Sequence, residues 1–188
     1  MARCARQAYA DVTLDLSEAL GCFGLGHEAL QDRLGNRSWK VLVGKTPYVL
    51  KLAAPNGAAR LRNEARCLRD LADRTVAECP TALLVEYVEG KPMRCVAEHK
   101  AALEACLDAL HVTGYVFCDL KPSNVIVSGG KCHLVDWEFC TRAGTAILDM
   151  LTRPYSSGFT HPDLIWGRGD IAPHIDFFSL ERMLLIEN

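Results

Sequence analysis

The stretch Phe117-Cys118-Asp119-Leu120-Lys121-Pro122-Ser123-Asn124-Val125-Ile126-Val127 sets four polar groups between two apolar runs. Residues 115–117 precede Asp119, Lys121, Ser123 and Asn124, and a β-rich run, 125–127, follows them. Twelve residues beyond Asn124, Asp136 ends a second short run, 133–135. Ser128-Gly129-Gly130-Lys131 joins the two runs as a hairpin. Such a hairpin brings Asn124 and Asp136 side by side, with Asp119 a little further along the loop. Two carboxylates and an amide form a hard-oxygen site suited to Mg²⁺. The remaining aspartate can act as base or orienter.

Working outward, residues 58–72 predict a helix whose apolar face carries Leu61, Ala65, Leu68 and Ala72. Glu64 falls on that same face, and a carboxylate turned inward needs a partner. Before it, 41–43 and 48–52 read as strands of a hairpin with a four-residue turn over 44–47. Residues 83–88 predict a buried strand, and Glu89-Gly90-Lys91-Pro92 reads as a linker. A helix is expected over 97–113, stopped by Gly114, and a last one from Asp176. Residues 7–32 read as one or two short helices broken around Gly21, Gly24 and Gly26. The pattern is β-rich with one helix up to about Gly90, then mainly helical with an isolated hairpin.

Composition narrows the functional classes. The 188 residues are 49% hydrophobic and 23% charged, the balance of a soluble globular protein. A net charge of −2 offers no basic field for nucleic acid. Arg60, Arg62, Arg66 and Arg69 cluster, but acidic neighbours interleave them as on a solvated helix face. Nine cysteines include no C-x-x-C pair and no zinc-ligand spacing, so reduced, structural thiols are expected. No apolar run reaches a membrane span, and the N-terminus lacks a signal-peptide core. The expectation is a cytoplasmic protein with no nucleic-acid and no membrane partner.

Asp-Leu-Lys-Pro-Ser-Asn at 119–124 resembles the catalytic loop of the eukaryotic-type protein kinase superfamily, and Val-Asp-Trp-Glu at 135–138 sits where that family's magnesium loop belongs. Val49-Leu50-Lys51 is similar to its lysine strand, with Glu64 in the following helix as ion-pair partner. Residues 85–90 resemble the hinge, and Asp176-Phe177-Phe178-Ser179-Leu180 resembles the start of the helix beneath the catalytic loop. The match covers about four-fifths of the chain, from Leu34 to Leu185.

The resemblance implies an α+β, two-lobed kinase-like fold. Residues 1–33 would be a helical extension, 34–90 a small β-rich lobe with hinge, and 91–188 a reduced, mainly helical lobe. It also implies ATP and Mg²⁺ as cofactors and Ser/Thr hydroxyls of an unidentified protein as acceptors, because Lys121 follows Asp119 by two. Lys51 would bridge the phosphates, held by Glu64. Asp136 and Asn124 would hold the metal, Asp119 would take the acceptor's proton, and Lys121 would sit by the γ-phosphate. The backbone of Glu86 and Val88 would bond adenine, with Val49 and Ile126 on its faces and Gly35 in the phosphate loop. Asp176 would brace the catalytic loop through backbone N–H groups, and Phe117 would pack on Trp137.

Three departures keep two other readings open. The phosphate loop, Leu34-Gly35-Asn36-Arg37-Ser38-Trp39-Lys40, keeps one glycine and places Arg37 and Lys40 in the other slots. Glu138 replaces a flexible glycine, and Cys118 replaces the arginine that reads a phosphorylated loop. One alternative is a pseudokinase binding module. The other is a small-molecule kinase of the aminoglycoside-phosphotransferase type, favoured by the tight turn near Gly44. Arg37 and Lys40 are expected either to reach phosphate or to point into solvent.

Overall fold

A computed structural model describes residues 16–74 and 76–187. The helical reading of residues 7–15 lies outside them. The remainder of that reading is corrected: a helix, α1 (Leu16–Cys22), and a 3₁₀ turn, His27–Ala29, lead directly into strand β1 (Leu30–Gly35). Leu30 already pairs with Val41, so strand structure begins within the stretch read as helical.

The upper lobe is a five-stranded antiparallel sheet in the order β1-β2-β3-β5-β4. Its other members are β2 (Ser38–Val43), β3 (Thr46–Leu52), β4 (Val76–Cys79) and β5 (Ala82–Glu86). The β2–β3 turn is tighter than expected. Val43 pairs with Thr46, leaving Gly44 and Lys45 as the loop, and Gly44 has φ +64°, which glycine adopts freely. Strand β4 went unread because Val76-Ala77-Glu78-Cys79 is only four residues long and does not alternate apolar with polar.

Alternation along β5 sorts its side chains onto two cores. Ala82 and Leu84 join Val41, Leu50, Ala19 and Leu20, so α1 covers the outer sheet face. Leu83 and Val85 join Leu61, Ala65 and Leu68 of α2 (Ala58–Leu71). This second core continues without a break into the lower lobe, through α3 (Val96–Val112), the hairpin β8 (Val125–Ser128) and β9 (Lys131–Leu134), and α5 (His174–Glu187). The architecture is the α+β, two-lobed kinase-like one that the sequence implied, with the lobes sharing one interior.

Between the lobes, β6 (Lys91–Pro92) pairs with β8, and β7 (Tyr115–Val116) pairs with β10 (Thr141–Arg142). Gly90 makes the crossing possible. Its φ is +152°, and a Cβ there would meet the Val127 carbonyl oxygen at 2.5 Å and Ile126 Cγ2 at 2.7 Å. A short helix, α4 (Pro162–Trp166), packs Leu164 with Val116, Ile147 and Ile175. Among the described residues no helix is long and apolar enough to cross a membrane. The eight described cysteines are free thiols.

Phe117 is fully buried and meets Trp137 edge-to-face, with ring centroids 5.6 Å apart. Trp137 is held in turn by its Nε1–H, which donates to Leu134 O at 2.8 Å. Phe117→Ala therefore opens a cavity between the loop of residues 117–124 and the β8–β9 hairpin. The expected cost is about 3–5 kcal/mol in urea unfolding. A loss under about 1 kcal/mol would show that the pair does not unite the core.

Candidate active site

Glu64 sits on the apolar face of α2, 1% exposed, and its carboxylate grips Lys51 with both oxygens at 2.7 and 2.9 Å. Lys51 reaches it from β3, one residue beyond the buried Leu50, because alternation turns the two side chains to opposite sheet faces. The same ammonium donates to Asp136 Oδ1 at 2.8 Å. Burial opposes the Lys51 charge, but Glu64 and Asp136 outweigh it and hold the ammonium well above the ordinary lysine range. Burial pulls Asp136 upward, yet Lys51 prevails and keeps that carboxyl below its ordinary value. Glu64 is pushed upward by burial against the attraction of Lys51. One cation thus ties strand, helix and the Asp136 loop together.

The second cluster is built on the loop of residues 117–124. Asp119 is 5% exposed; its Oδ2 accepts from Lys121 Nζ at 2.7 Å and from Asn124 Nδ2 at 3.1 Å. Asn124 Nδ2 also donates to the Asp119 carbonyl, at 3.0 Å. Val135 N donates to Asn124 O at 2.9 Å, so the hairpin fixes Asn124 against the strand end that carries Asp136. Asp136 and Cys118 both have φ +69°. Left-handed backbone in such residues is strained by about 1–3 kcal/mol and persists only where neighbours impose it. At Cys118 the imposing neighbour is Asp176, whose oxygens accept from Phe117 N and Cys118 N, each at 2.8 Å.

These side chains border a cleft of about 470 Å³ between the lobes, within the usual range for a small-ligand site. Gly35, Val49, Lys51, Glu64, Val88, Ile126, Asn124 and Asp136 line it together. Asp119 and Lys121 stand just beyond, joined to it by Asn124. Glu86 stands apart: its side chain is exposed and its carbonyl accepts from the guanidinium of Arg74, which is part of the cleft wall. The two cations of the β1–β2 turn and strand β2 diverge. Arg37 lines the cleft and donates to Ala53 O at 2.6 Å, whereas Lys40 lies 4.2 Å from the centroid of the Tyr87 ring.

Sequence reasoning missed several participants. Ser156 Oγ donates to Asp119 Oδ1 at 2.8 Å and accepts from Lys121 Nζ at 3.0 Å, tying a distant segment to the loop. It lies in a turn-rich stretch with no periodicity to single it out. Asn63 crosses the lobes, donating to Glu138 O and Cys140 O, each at 3.0 Å. Only its place next to Glu64 could have drawn notice. Glu138 lines the cleft, with Arg60 Nη1 3.8 Å from its Oε2, and burial raises its carboxyl further than Arg60 and Lys51 lower it. His111 Nε2 lies 2.9 Å from Asp176 Oδ2.

No family model matches the sequence. Among curated proteins, the chain is 31% identical over 107 residues to serine/threonine-protein kinase YabT of Bacillus subtilis, covering 55% of this chain and 30% of that protein. It is 28% identical over 111 residues to maternal embryonic leucine zipper kinase of Danio rerio, covering 56% and 16%. A third relative, serine/threonine-protein kinase MRCK gamma of Homo sapiens, is 27% identical over 104 residues, 52% of this chain and 7% of that protein. The chain therefore spans less than a third of the length of these relatives, and about half of it is related in sequence to Ser/Thr protein kinases.

Removing the Asp176 carboxylate leaves two buried N–H groups without an acceptor, at about 1–3 kcal/mol each. Asp176→Ala is expected to destabilise the protein by about 2–6 kcal/mol in chemical denaturation. An unchanged unfolding midpoint would show that the loop holds its own shape.

Proposed function

We propose that the chain is a Mg·ATP-dependent kinase that transfers the γ-phosphoryl group to Ser or Thr hydroxyls of a protein. The observation that carries this reading is Lys51 held by Glu64 and Asp136 inside a cleft whose far wall presents Asn124 and, behind it, Asp119. A triphosphate entering that cleft meets a desolvated ammonium already aimed at it.

The oxygen donors suit Mg²⁺. Lys51 occupies Asp136 Oδ1, leaving Oδ2 for a metal, and Asn124 spends its amide N–H groups on Asp119, so that its oxygen, which accepts from Ser123 Oγ at 3.4 Å, keeps a lone pair for a metal. The Glu138 carboxylate lies within 4.8 Å of those of Asp136 and Glu64 and adds a third candidate ligand. When bound, the ion supplies charge neutralisation at the phosphate oxygens. Asp119 orients the acceptor hydroxyl and takes its proton. Its Oδ1 already accepts the Ser156 hydroxyl, and a carboxylate oxygen has room for a second donor. Lys121, bonded to Asp119 and Ser156, would offset the charge that develops between acceptor and phosphate.

A rival reading, nucleotide binding without turnover, draws support from the phosphate loop. With one glycine, its backbone cannot approach phosphate as closely as a glycine-rich turn would. The two readings separate in one set of measurements. Asp136→Ala is expected to abolish Mg·ATP-dependent thermal stabilisation. Asp119→Asn should keep that stabilisation while labelled transfer from ATP to a generic Ser/Thr substrate falls about 10²–10⁴-fold. Binding with no transfer by the parent protein would select the rival reading. Undiminished stabilisation of Asp136→Ala would remove the metal assignment.

The loop cations give a further test. Arg37 borders the cleft and Lys40 does not. Arg37→Ala should raise the KM for ATP about tenfold at low salt, and Lys40→Ala should leave it within about twofold. The reverse order would mean that Lys40 leaves Tyr87 for phosphate.

A further inference from the structure

Arg74 is a cation in an unusual place. It follows α2 in the chain, its guanidinium donates to the main-chain carbonyl of Glu86, and its side chain forms part of the cleft wall with Val85, Tyr87 and Val88. Among the described residues its side chain has no ion-pair partner. A guanidinium has five N–H donors in a fixed fork and no acceptor. The bond to Glu86 leaves donors to spare at the end of the cleft where a nucleobase edge would lie.

The two kinds of purine present different edges to such a fork. Adenine offers N7 as an acceptor but a donor amino group at position 6. Guanine and hypoxanthine offer acceptors at both O6 and N7, the pair that arginine binds bidentately. A 6-amino group beside Arg74 sets donor against donor, while a 6-oxo group completes a charge-assisted bond. The Glu86 carbonyl has two lone pairs; Arg74 takes one, and the other can accept either the N1–H of a 6-oxopurine or the 6-amino N–H of adenine, so it is the Arg74 fork that separates the two bases.

We propose that Arg74 reads position 6 of the base, so that the cleft accepts a 6-oxopurine nucleoside triphosphate, of the guanine or hypoxanthine type, at least as well as ATP. The inference rests on the nucleotide-cleft reading above and specifies its donor substrate. Arg74 is a specificity residue rather than a catalytic one, since it lies at the base end of the cleft, away from Asp119.

The test compares Mg·ITP with Mg·ATP by calorimetry, because the two differ only in oxo against amino at position 6 and the proton at N1. The parent protein is expected to bind ITP with a Kd equal to or below that for ATP. Arg74→Met, which keeps much of the side-chain length and loses the fork, is expected to shift the ITP-to-ATP Kd ratio at least tenfold toward ATP. A parent protein that binds ATP more tightly than ITP overturns the proposal and needs no variant. A smaller shift in Arg74→Met also overturns it, and equal weakening of both nucleotides would make Arg74 a brace for the hinge. If Arg74→Met does not fold, the parent protein's own ratio decides. If neither nucleotide binds, the nucleotide-cleft reading falls with it; if ATP binds and ITP does not, only the assignment of Arg74 falls.

Discussion

A single buried carboxylate organises the lower half of the cleft. Asp176 is fully enclosed, yet among the described residues no lysine or arginine balances it; its partners there are two main-chain N–H groups and the His111 ring. Charge-assisted bonds of this kind are what make an enclosed carboxylate tolerable. The direction of dependence matters. The N–H groups of Phe117 and Cys118 converge on one side chain only if the loop turns sharply, and that turn places Cys118 in left-handed backbone. Beyond the turn, Asp119 faces Lys121, Asn124 and Ser156. Phe117 is driven the other way, onto Trp137. Helix α5 is thus both a packing element and the template on which the loop is bent.

The upper half obeys a different constraint, which is electrostatic. Lys51 stands between two carboxylates at hydrogen-bond distance, so each acidic partner stabilises the charge that the other also needs. Trp137 N adds a bond to Glu64 Oε1 at 3.3 Å, carrying the arrangement from α2 into the Asp136 turn. Strand, helix and loop are brought together by one ammonium whose burial would be unfavourable with either carboxylate removed.

Much of this could be read from the chain because it rests on spacing. The interval from Asn124 to Asp136 is what a short hairpin requires, and Glu64 on an apolar helical stripe already implied a buried partner. What stayed hidden depends on tertiary approach. Nothing local distinguishes Ser156, Asn63 or Arg74, since each works on a main-chain or side-chain group far away in sequence. The first strand was obscured for another reason. Leu30-Gln31-Asp32-Arg33-Leu34-Gly35 is mostly exposed at the sheet edge, so it lacks the alternation that marks a half-buried strand. Helix α1 was taken for an appendage because only Ala19 and Leu20 are deeply buried, although they close one face of the sheet.

Asn63 has a consequence for how fast the cleft can work. Its two bonds to the carbonyls of Glu138 and Cys140 run from the upper lobe to the lower, a link separate from the Gly90 crossing. Widening the gap between the lobes therefore means releasing Asn63 as well as rotating about the crossing. A clasp of this sort governs residence time rather than affinity alone, because it must open for a ligand to arrive and again for one to leave. The amide that would set such a tempo is not itself part of the cleft wall; it acts through the main chain of Glu138, which is.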